Sequence, residues 1–145
     1  MKTLAIIPAR GGSKRIPRKN VLNVGGKALI VHTIEQAQQS RHVNRVVVST
    51  DDDEIAEISR STGAEVLARP AQLANATATS ESALIHVLDE LSGYQNYTPD
   101  EVIFLQCTSP LRTQGDIDNA IEQFRSMQLD SLFSASRFRK YVWTI

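Results

Sequence analysis

The stretch that decides the fold is IIPARGGSKRIPRKN, residues 6–20. An apolar run ends at Pro8 and passes into a glycine-containing loop, which carries five cations and no acid between Arg10 and Lys19. The whole chain is neutral, with 16 basic and 16 acidic side chains, so net charge gives no support for a general attraction to nucleic acid or to an acidic membrane. The positive charge is local, which favours a binding site for an anion at this loop.

Length and composition are those of an ordinary globular chain. At 145 residues, 41% of them hydrophobic, the chain fits one domain with one core. No apolar run approaches the roughly 18 residues of a membrane span, and Pro8 interrupts the first apolar stretch before it could serve as a signal sequence. The single cysteine, Cys107, has no partner for an internal disulfide, which agrees with a reducing compartment. We therefore expect a cytoplasmic protein.

Short apolar runs alternate with segments of helical spacing along the chain. The alternation predicts an α/β fold with a mainly parallel twisted sheet and helices on both faces, because parallel neighbours need crossover connections. In such sheets, ligands bind at the carboxyl ends of the strands. The predicted strands are residues 4–7, 45–49, 65–67, 102–105 and 131–134. The predicted helices are residues 28–39, 53–62, 80–91 and 116–127.

Several helix ends are also marked in the sequence. Asp52 or Asp53 is suited to cap the second helix, Gly63 follows its last turn, and Asp116 is suited to cap the fourth. Three successive side chains point in different directions, so the run from Asp51 to Asp53 is better explained as a helix start than as a metal cluster.

The basic loop follows the first predicted strand, at the edge where a ligand would lie. Gly11 and Gly12 allow backbone amides to approach an anion closely, and Ser13, Lys14 and Lys19 add side-chain donors. Polyphosphate fits this loop better than a solvated turn does, because five crowded cations are easiest to understand with an anion among them. The sequence contains neither G-x-x-x-x-G-K-[ST] nor G-x-G-x-x-G, which excludes two familiar phosphate loops.

Four segments, in order, carry a resemblance to a known family: IIPARGGSKRIPRKN, VVVSTDDDEIAE, ARPAQLANATATSESAL and FLQCTSPLRT. They resemble the successive motifs of the CMP-sialic acid synthetases, also called N-acylneuraminate cytidylyltransferases, from near Met1 to about Arg137. The resemblance implies a nucleotide-diphospho-sugar transferase type of fold, CTP and a sialic acid as substrates, Mg²⁺ as cofactor and a homodimer for the full-length protein.

The resemblance also implies roles for individual residues in the first motif. Arg10, Ser13, Lys19 and Asn20 match positions that contact the nucleotide, mainly its phosphates. Negative charge grows on the leaving pyrophosphate when the anomeric hydroxyl of the sugar attacks the α-phosphorus, and fixed cations stabilise it. Lys19, with Arg10, is therefore the expected catalytic cation.

Later motifs supply the remaining expected contacts. Arg69 and Ser80 match positions that bind the cytidine part, although Ser80 also stands where a helix cap is expected. Gln106 matches the residue that contacts the acceptor sugar. Arg112 is suited to an acidic partner or to the sugar carboxylate.

The acceptor sugar has more than one interpretation. The Thr-Ala-Thr-Ser spelling at residues 77–80 looks like the sialic acid branch, whereas GGSKRIPRKN resembles cytidylyltransferases for pseudaminic acid, and Arg15 stands where many sialic acid synthetases have Gly. Legionaminic acid and KDO are further alternatives. KDO enzymes place a metal-binding Asp just after the position of Gln106, where this chain has Cys107 and Thr108.

Other reactive residue types receive no site. His32, His42 and His86 are scattered without ligand spacing, Cys107 is assigned to packing, and no residue is assigned to a metal.

Members of the family continue past the point where SLFSASRFRKYVWTI ends this sequence. We expect residues 1–145 to form a single nucleotidyltransferase domain that lacks the downstream Asp-x-Asp motif for Mg²⁺. Such a chain should bind CTP with little or no synthetase activity, and its apolar end, YVWTI, should pack against other residues. The alternative from another class is a CTP-binding fragment or regulatory module without turnover.

Overall fold

A computed structural model describes residues 1–13, 15–75 and 77–135. Two short 3-10 helices cover Lys19–Val21 and Ala71–Leu73. The strands are β1 (Thr3–Pro8), β2 (Asn23–Val24), β3 (Lys27–Ala28), β4 (Arg45–Thr50), β5 (Glu65–Ala68) and β6 (Glu101–Phe104). The helices are α1 (Leu29–Gln38), α2 (Asp53–Ser61), α3 (Ser80–Gln95) and α4 (Asp116–Ser126).

Four strands form a parallel sheet in the order β5-β4-β1-β6. β1 is central, with Leu4 opposite Arg45 on one side and Val102 on the other. A strand buried on both faces reads as a continuous apolar run, and residues 4–7 of β1 are fully buried. The run that opens the sequence therefore becomes the centre of the sheet.

The two faces of the sheet are covered by different helices. Ala5 and Ile7 of β1 belong to a buried cluster with apolar residues of α1, α2 and α4. Leu4 and Ile6, on the opposite face, pack with buried residues of α3. This two-sided arrangement confirms the predicted α/β fold with a parallel sheet and helices on both faces.

The prediction of a fifth strand at residues 131–134 is wrong. The structure assigns these residues no strand, and the Phe133 side chain is 85% exposed. Two apolar residues between serines resemble a strand locally, but a strand also needs a partner to satisfy its backbone groups. The expected packing of YVWTI lies outside the described residues.

A hairpin of β2 and β3 was not predicted. Its strands have two residues each, and Gly25 and Gly26 form the turn with φ of 60° and 94°. The Asn23 side chain accepts the Gly26 amide at 2.9 Å. Such short strands carry no alternation that sequence reasoning could detect.

The structure confirms some of the predicted helix ends and contradicts others. Asp52 caps α2 by accepting the Ile55 amide at 3.0 Å, and Gly63 follows that helix with a φ of 85°, so both predictions are confirmed. The prediction for Asp116 is wrong, because Gly115 holds the cap position of α4 and Asp116 reaches back to the Thr113 amide at 2.7 Å.

The expectation that Ser80 caps α3 is also wrong. Thr79 caps this helix and accepts the Ser82 amide at 3.2 Å, so Ser80 is already the first helical residue. Ser80 is therefore not needed for capping. None of the helices in the described part of the chain combines the length and apolar content that a membrane span requires.

Candidate functional site

A cavity of about 330 Å³ lies at the carboxyl ends of the strands. Its walls come from residues that follow β1, β5 and β6 and from the start of α3. Six of the seven predicted site residues line it, namely Arg10, Lys19, Asn20, Arg69, Ser80 and Gln106. Ser13, the seventh, is not among the lining residues.

The charged side chains that line this cavity are, among the described residues, all cations. Arg10, Lys19 and Arg69 line it, and no described lining residue carries a carboxylate. Cations in a partly enclosed space attract and orient anions, since the field there is screened less than on an open surface. The arrangement is therefore chemically suited to a phosphate-containing ligand.

Arg69 is the most constrained of these cations. It directly follows β5, its amide donates to the Thr50 carbonyl at 2.7 Å, and its guanidinium donates to the Ser49 hydroxyl at 3.1 Å. Burial lowers the pKa of Arg69, although the charge of Asp51 opposes this shift. The side chain is 8% exposed and forms no ion pair with a described residue. A buried charge without a counter-ion is costly, and an anionic ligand would offset that cost.

Asn20 and Arg10 connect the two ends of the basic loop. The Asn20 amide donates to the Arg10 carbonyl at 3.1 Å, and Asn20 is buried. The Arg10 guanidinium donates to the Asn75 carbonyl at 3.0 Å, which links the loop to the segment before α3. Asn75, also a lining residue, was not singled out from the sequence, because a backbone contact leaves no signal in residue type.

Gly11 does not act as predicted, whereas the prediction for Gly12 stays a prediction. The Gly11 amide donates to the Asp51 carboxylate at 3.0 Å, so this donor is not free for an anion and the prediction for Gly11 is wrong. An added Cβ on Gly11 would lie 2.5 Å from Oδ2 of Asp52, so the glycine is required by close packing. An added Cβ on Gly12 would meet no atom within 4 Å.

The loop after β6 brings Gln106 to the cavity. Arg112 holds this loop by donating to the Gln106 carbonyl at 3.1 Å, to the Ser109 carbonyl at 2.9 Å and to the Gln36 side chain at 3.1 Å. Burial lowers the pKa of Arg112, and this residue does not line the cavity. The structure thus gives Arg112 a loop-bracing position, and its contact with an acidic partner or a sugar carboxylate stays a prediction.

Cys107 lines the cavity but belongs to the apolar core. It is 4% exposed, and burial raises its pKa to about 11, although Lys19 and Arg112 lower it slightly. A thiol with such a pKa stays protonated at neutral pH and is a poor nucleophile. The structure supports the packing role predicted for this residue.

The described residues do not fit a magnesium site. No group of three or more His, Cys, Asp or Glu side chains among them is arranged to hold a metal ion. Asp51 accepts the Gly11 amide, and Asp52 caps α2 and pairs with Arg18. Mg²⁺ prefers several oxygen ligands in an octahedron, which these occupied carboxylates do not supply.

The three histidines do not line the cavity. The His32 ring contacts the Val24 carbonyl at 2.6 Å, His42 contacts Glu122 at 3.0 Å, and His86 lies 3.9 Å from Glu90. A second cavity of about 270 Å³ is lined by parts of α1 and α4 and by the loops next to them, including Arg112.

Comparison with known proteins finds that this chain is similar to cytidylyltransferases. The sequence profile of the family described as "Cytidylyltransferase" matches residues 4–142. The chain is 41% identical to a pseudaminic acid cytidylyltransferase of Campylobacter jejuni, over 95% of this chain and 60% of that protein. It is 39% identical to an N-acylneuraminate cytidylyltransferase of Streptococcus agalactiae, over 97% of this chain and 33% of that protein.

A solved structure of CMP:2-keto-3-deoxy-manno-octonic acid synthetase complexed with CTP has the same fold. Its TM-score to this chain is 0.73 at 28% identity, covering 87% of this chain and 48% of the other. The chain spans at most about 60% of the curated relatives named above. The profile match covers nearly the whole chain, and the chain therefore belongs to the cytidylyltransferase family.

Proposed function

We propose that this protein transfers CMP from CTP to the anomeric hydroxyl of a sialic acid and releases pyrophosphate. The observation that carries the proposal is the cavity in which Arg10, Lys19 and Arg69 converge without a lining carboxylate. The names of the cytidylyltransferase relatives support CTP as the nucleotide and a sugar acid as the acceptor.

In the proposed reaction, an oxygen of the sugar attacks the α-phosphorus of CTP and pyrophosphate leaves. Lys19 and Arg10 stabilise the negative charge that grows on the leaving phosphates. Ser13 and Asn20 contribute to nucleotide contacts, Asn20 chiefly by holding the loop through the Arg10 carbonyl. Each fixed donor of this kind contributes about 10²–10³ in rate.

Arg69 and Ser80 are proposed to bind the cytidine part and Gln106 the acceptor sugar. All three line the same cavity, so the nucleotide and the acceptor sugar would bind next to each other. Burial lowers the pKa of Arg69, and the nearby charge of Arg10 lowers it further. Arg69 is therefore suited to lie where the base and the phosphates of a nucleotide meet.

The acceptor is proposed to be a sialic acid, with pseudaminic or legionaminic acid as the alternative. The pseudaminic acid enzyme of C. jejuni is 41% identical to this chain and the N-acylneuraminate enzyme of S. agalactiae is 39% identical, so overall similarity does not separate these acceptors. KDO is less well supported, because Cys107 and Thr108 follow Gln106 where a KDO enzyme is expected to place a metal-binding carboxylate.

We propose Mg²⁺ as the cofactor, a homodimer as the full-length assembly and the cytoplasm as the location. Magnesium would supply charge neutralisation at the triphosphate when bound. The described residues contain no cluster for it, so ligands from outside them, or the triphosphate itself, would hold the ion. The cytoplasmic proposal is supported by the use of CTP, and the dimer by the family resemblance.

The test measures pyrophosphate release from CTP with sialic, pseudaminic, legionaminic and KDO acceptors in separate reactions with Mg²⁺. Turnover with a sialic acid is expected from the full-length protein, and Lys19→Ala should reduce it there by about 10²–10³ without changing the melting temperature. Lys27→Ala is the matched control, because Lys27 pairs with Glu35 and does not line the cavity. Equal activity in Lys19→Ala and the parent would remove Lys19 from the mechanism.

A second candidate function is CTP binding without turnover. The cations Arg10, Lys19 and Arg69 that line the cavity would by themselves support binding of the triphosphate. Both functions predict CTP binding, which thermal stabilisation by CTP but not by ATP would report. Stabilisation by CTP with no pyrophosphate release for any of the four acceptors would support the second candidate.

A further inference from the structure

Among the described cations of the basic loop, Arg18 is the one whose charge is paired with acidic side chains. Its guanidinium bonds to the carboxylates of Asp52 and Glu54. These three residues, which we call the loop latch, join the basic loop to the first turn of α2. The pKa of Arg18 is raised, chiefly by its hydrogen bond to Asp52 and then by Glu54.

The latch lies directly beside the proposed catalytic cation. Arg18 has a φ of 55°, a left-handed conformation that is uncommon for a residue with a side chain. The 3-10 turn Lys19–Val21 begins at the next residue, and Lys19 lines the cavity. The backbone of Lys19 therefore starts from the residue that the two carboxylates hold.

Asp52 is the centre of these contacts. One carboxylate oxygen accepts the Ile55 amide at 3.0 Å and an Arg18 nitrogen at 3.2 Å, while the other accepts Arg18 again. The same carboxylate packs against Gly11, where no side chain would fit, and the neighbouring Asp51 accepts the Gly11 amide at 3.0 Å. The helix cap and both arms of the basic loop thus meet at one acidic segment.

We propose that Asp52 is a positioning residue for Lys19, acting through Arg18, and that Arg18 is not a phosphate ligand. The proposal rests on the proposed function, because Lys19 is the cation that the latch orients. Arg18 does not line the cavity, and both of its terminal nitrogens are engaged by acids. The acidic run at residues 51–54 therefore serves the basic loop as well as the start of α2.

The test uses a substitution that separates capping from pairing. Asp52→Asn keeps a side chain that caps helices as well as Asp does but loses the charge that pairs with Arg18. Calorimetric titration with CTP is performed on the parent, Asp52→Asn, Arg18→Ala and the double variant. Asp53→Asn is the matched control, because it removes a neighbouring exposed acid that has a place in the same helix turn.

Each single variant is expected to bind CTP about two- to fivefold more weakly, as suits a partly exposed ion pair, and the double variant no more weakly than Arg18→Ala. The melting temperature of Asp52→Asn should be only slightly below that of Asp53→Asn, because the loss of a partly exposed ion pair costs little stability. Unchanged or tighter CTP binding by Asp52→Asn, together with weaker binding by Arg18→Ala, would mean that a released Arg18 contacts phosphate and would overturn the proposal.

Amide hydrogen exchange without any nucleotide keeps this test independent of the proposed function. Asp52→Asn should speed exchange of the Val21 and Leu22 amides, which donate to the Arg18 and Lys19 carbonyls, about two- to fivefold while leaving α2 unchanged. Equal exchange in the parent and Asp52→Asn would overturn the positioning role. If the parent fails to bind CTP, the proposed function fails, and the exchange result alone decides whether the latch holds the loop.

Discussion

The side-chain amide of Asn20 donates to the backbone carbonyl of Arg10 at 3.1 Å, which ties the end of the basic loop to its beginning. This bond fixes the direction in which Arg10 leaves β1. The loop is thus closed by a neutral side chain, while Arg10 and Lys19 line the cavity.

Asn20→Asp should weaken CTP binding by about tenfold to a hundredfold. The substitution replaces a donor with a carboxylate that repels both the Arg10 carbonyl and the incoming phosphates, and a hydrogen bond lost next to a charge has an effect of this size. Calorimetric titration with CTP measures the change.

Asn23→Asp is the control for this substitution. The Asn23 side chain accepts the Gly26 amide at 2.9 Å, and a carboxylate accepts equally well. Its CTP affinity should match that of the parent. A similar loss in both variants would show that negative charge alone, and not the tie to Arg10, causes the effect.

Gly11→Ala should destabilise the fold by about 1–3 kcal/mol, because the added carbon would lie 2.5 Å from Oδ2 and 2.9 Å from Cβ of Asp52. Gly12→Ala meets no atom within 4 Å and should stay within about 0.5 kcal/mol of the parent. Urea unfolding without nucleotide measures both. Equal stability of the two variants would contradict the close packing at Gly11.

Cys107 should resist alkylation at neutral pH. Burial raises its pKa to about 11, so the reactive thiolate is about a hundredfold or more scarcer at pH 7.5 than for a free cysteine with a pKa of about 8.5. Intact mass after iodoacetamide treatment reports the reaction, since the chain has one cysteine. The rate should rise about tenfold per pH unit up to about pH 11, and urea-unfolded protein should react fast at pH 7.5.

Asp118 should stabilise the fold at neutral pH but not in acid. The Ser40 hydroxyl and, to a lesser degree, Arg41 lower the pKa of Asp118 to about 2, while burial opposes them. A depressed pKa gives stability that is complete above the unfolded value near 4 and is lost as the pH falls toward 2. Asp118→Asn should therefore cost about 1–2 kcal/mol at pH 7 and progressively less below pH 4.

Urea unfolding of Asp118→Asn and the parent from pH 7 to pH 2.5 measures this difference. Asp130→Asn, an exposed aspartate elsewhere, should change stability little across the range. A cost for Asp118→Asn that stays constant as the pH falls would contradict the ionised role of this carboxylate.

The sequence was sufficient to predict the sheet and the loop that carries the cations. β1, β4, β5 and β6 overlap with four predicted strands, and the central strand β1 is the clearest of them, because a strand buried on both faces must be apolar throughout. Their order then brings Arg10, Arg69 and Gln106 to one edge, since the carboxyl ends of parallel strands coincide.

The sequence could not show which partners the polar side chains bind. Five cations of the basic loop look equivalent in sequence, but Arg18 is paired with acids that are 34 and 36 residues away. Arg112 looked available for a carboxylate and instead braces backbone carbonyls. These pairings depend on which side chains the assembled sheet brings close to one another.

The central position of β1 has a consequence for the order in which the site forms. Thr3 bonds to the side chain of Asn44, 41 residues away, and to Glu101, 98 residues away, so the two neighbours of β1 are synthesised at very different times. Contacts that are distant in sequence form slowly, because closing a long loop costs chain entropy. The loop that carries Arg10 and Lys19 can therefore assemble beside β4 before β6 brings Gln106 to the cavity.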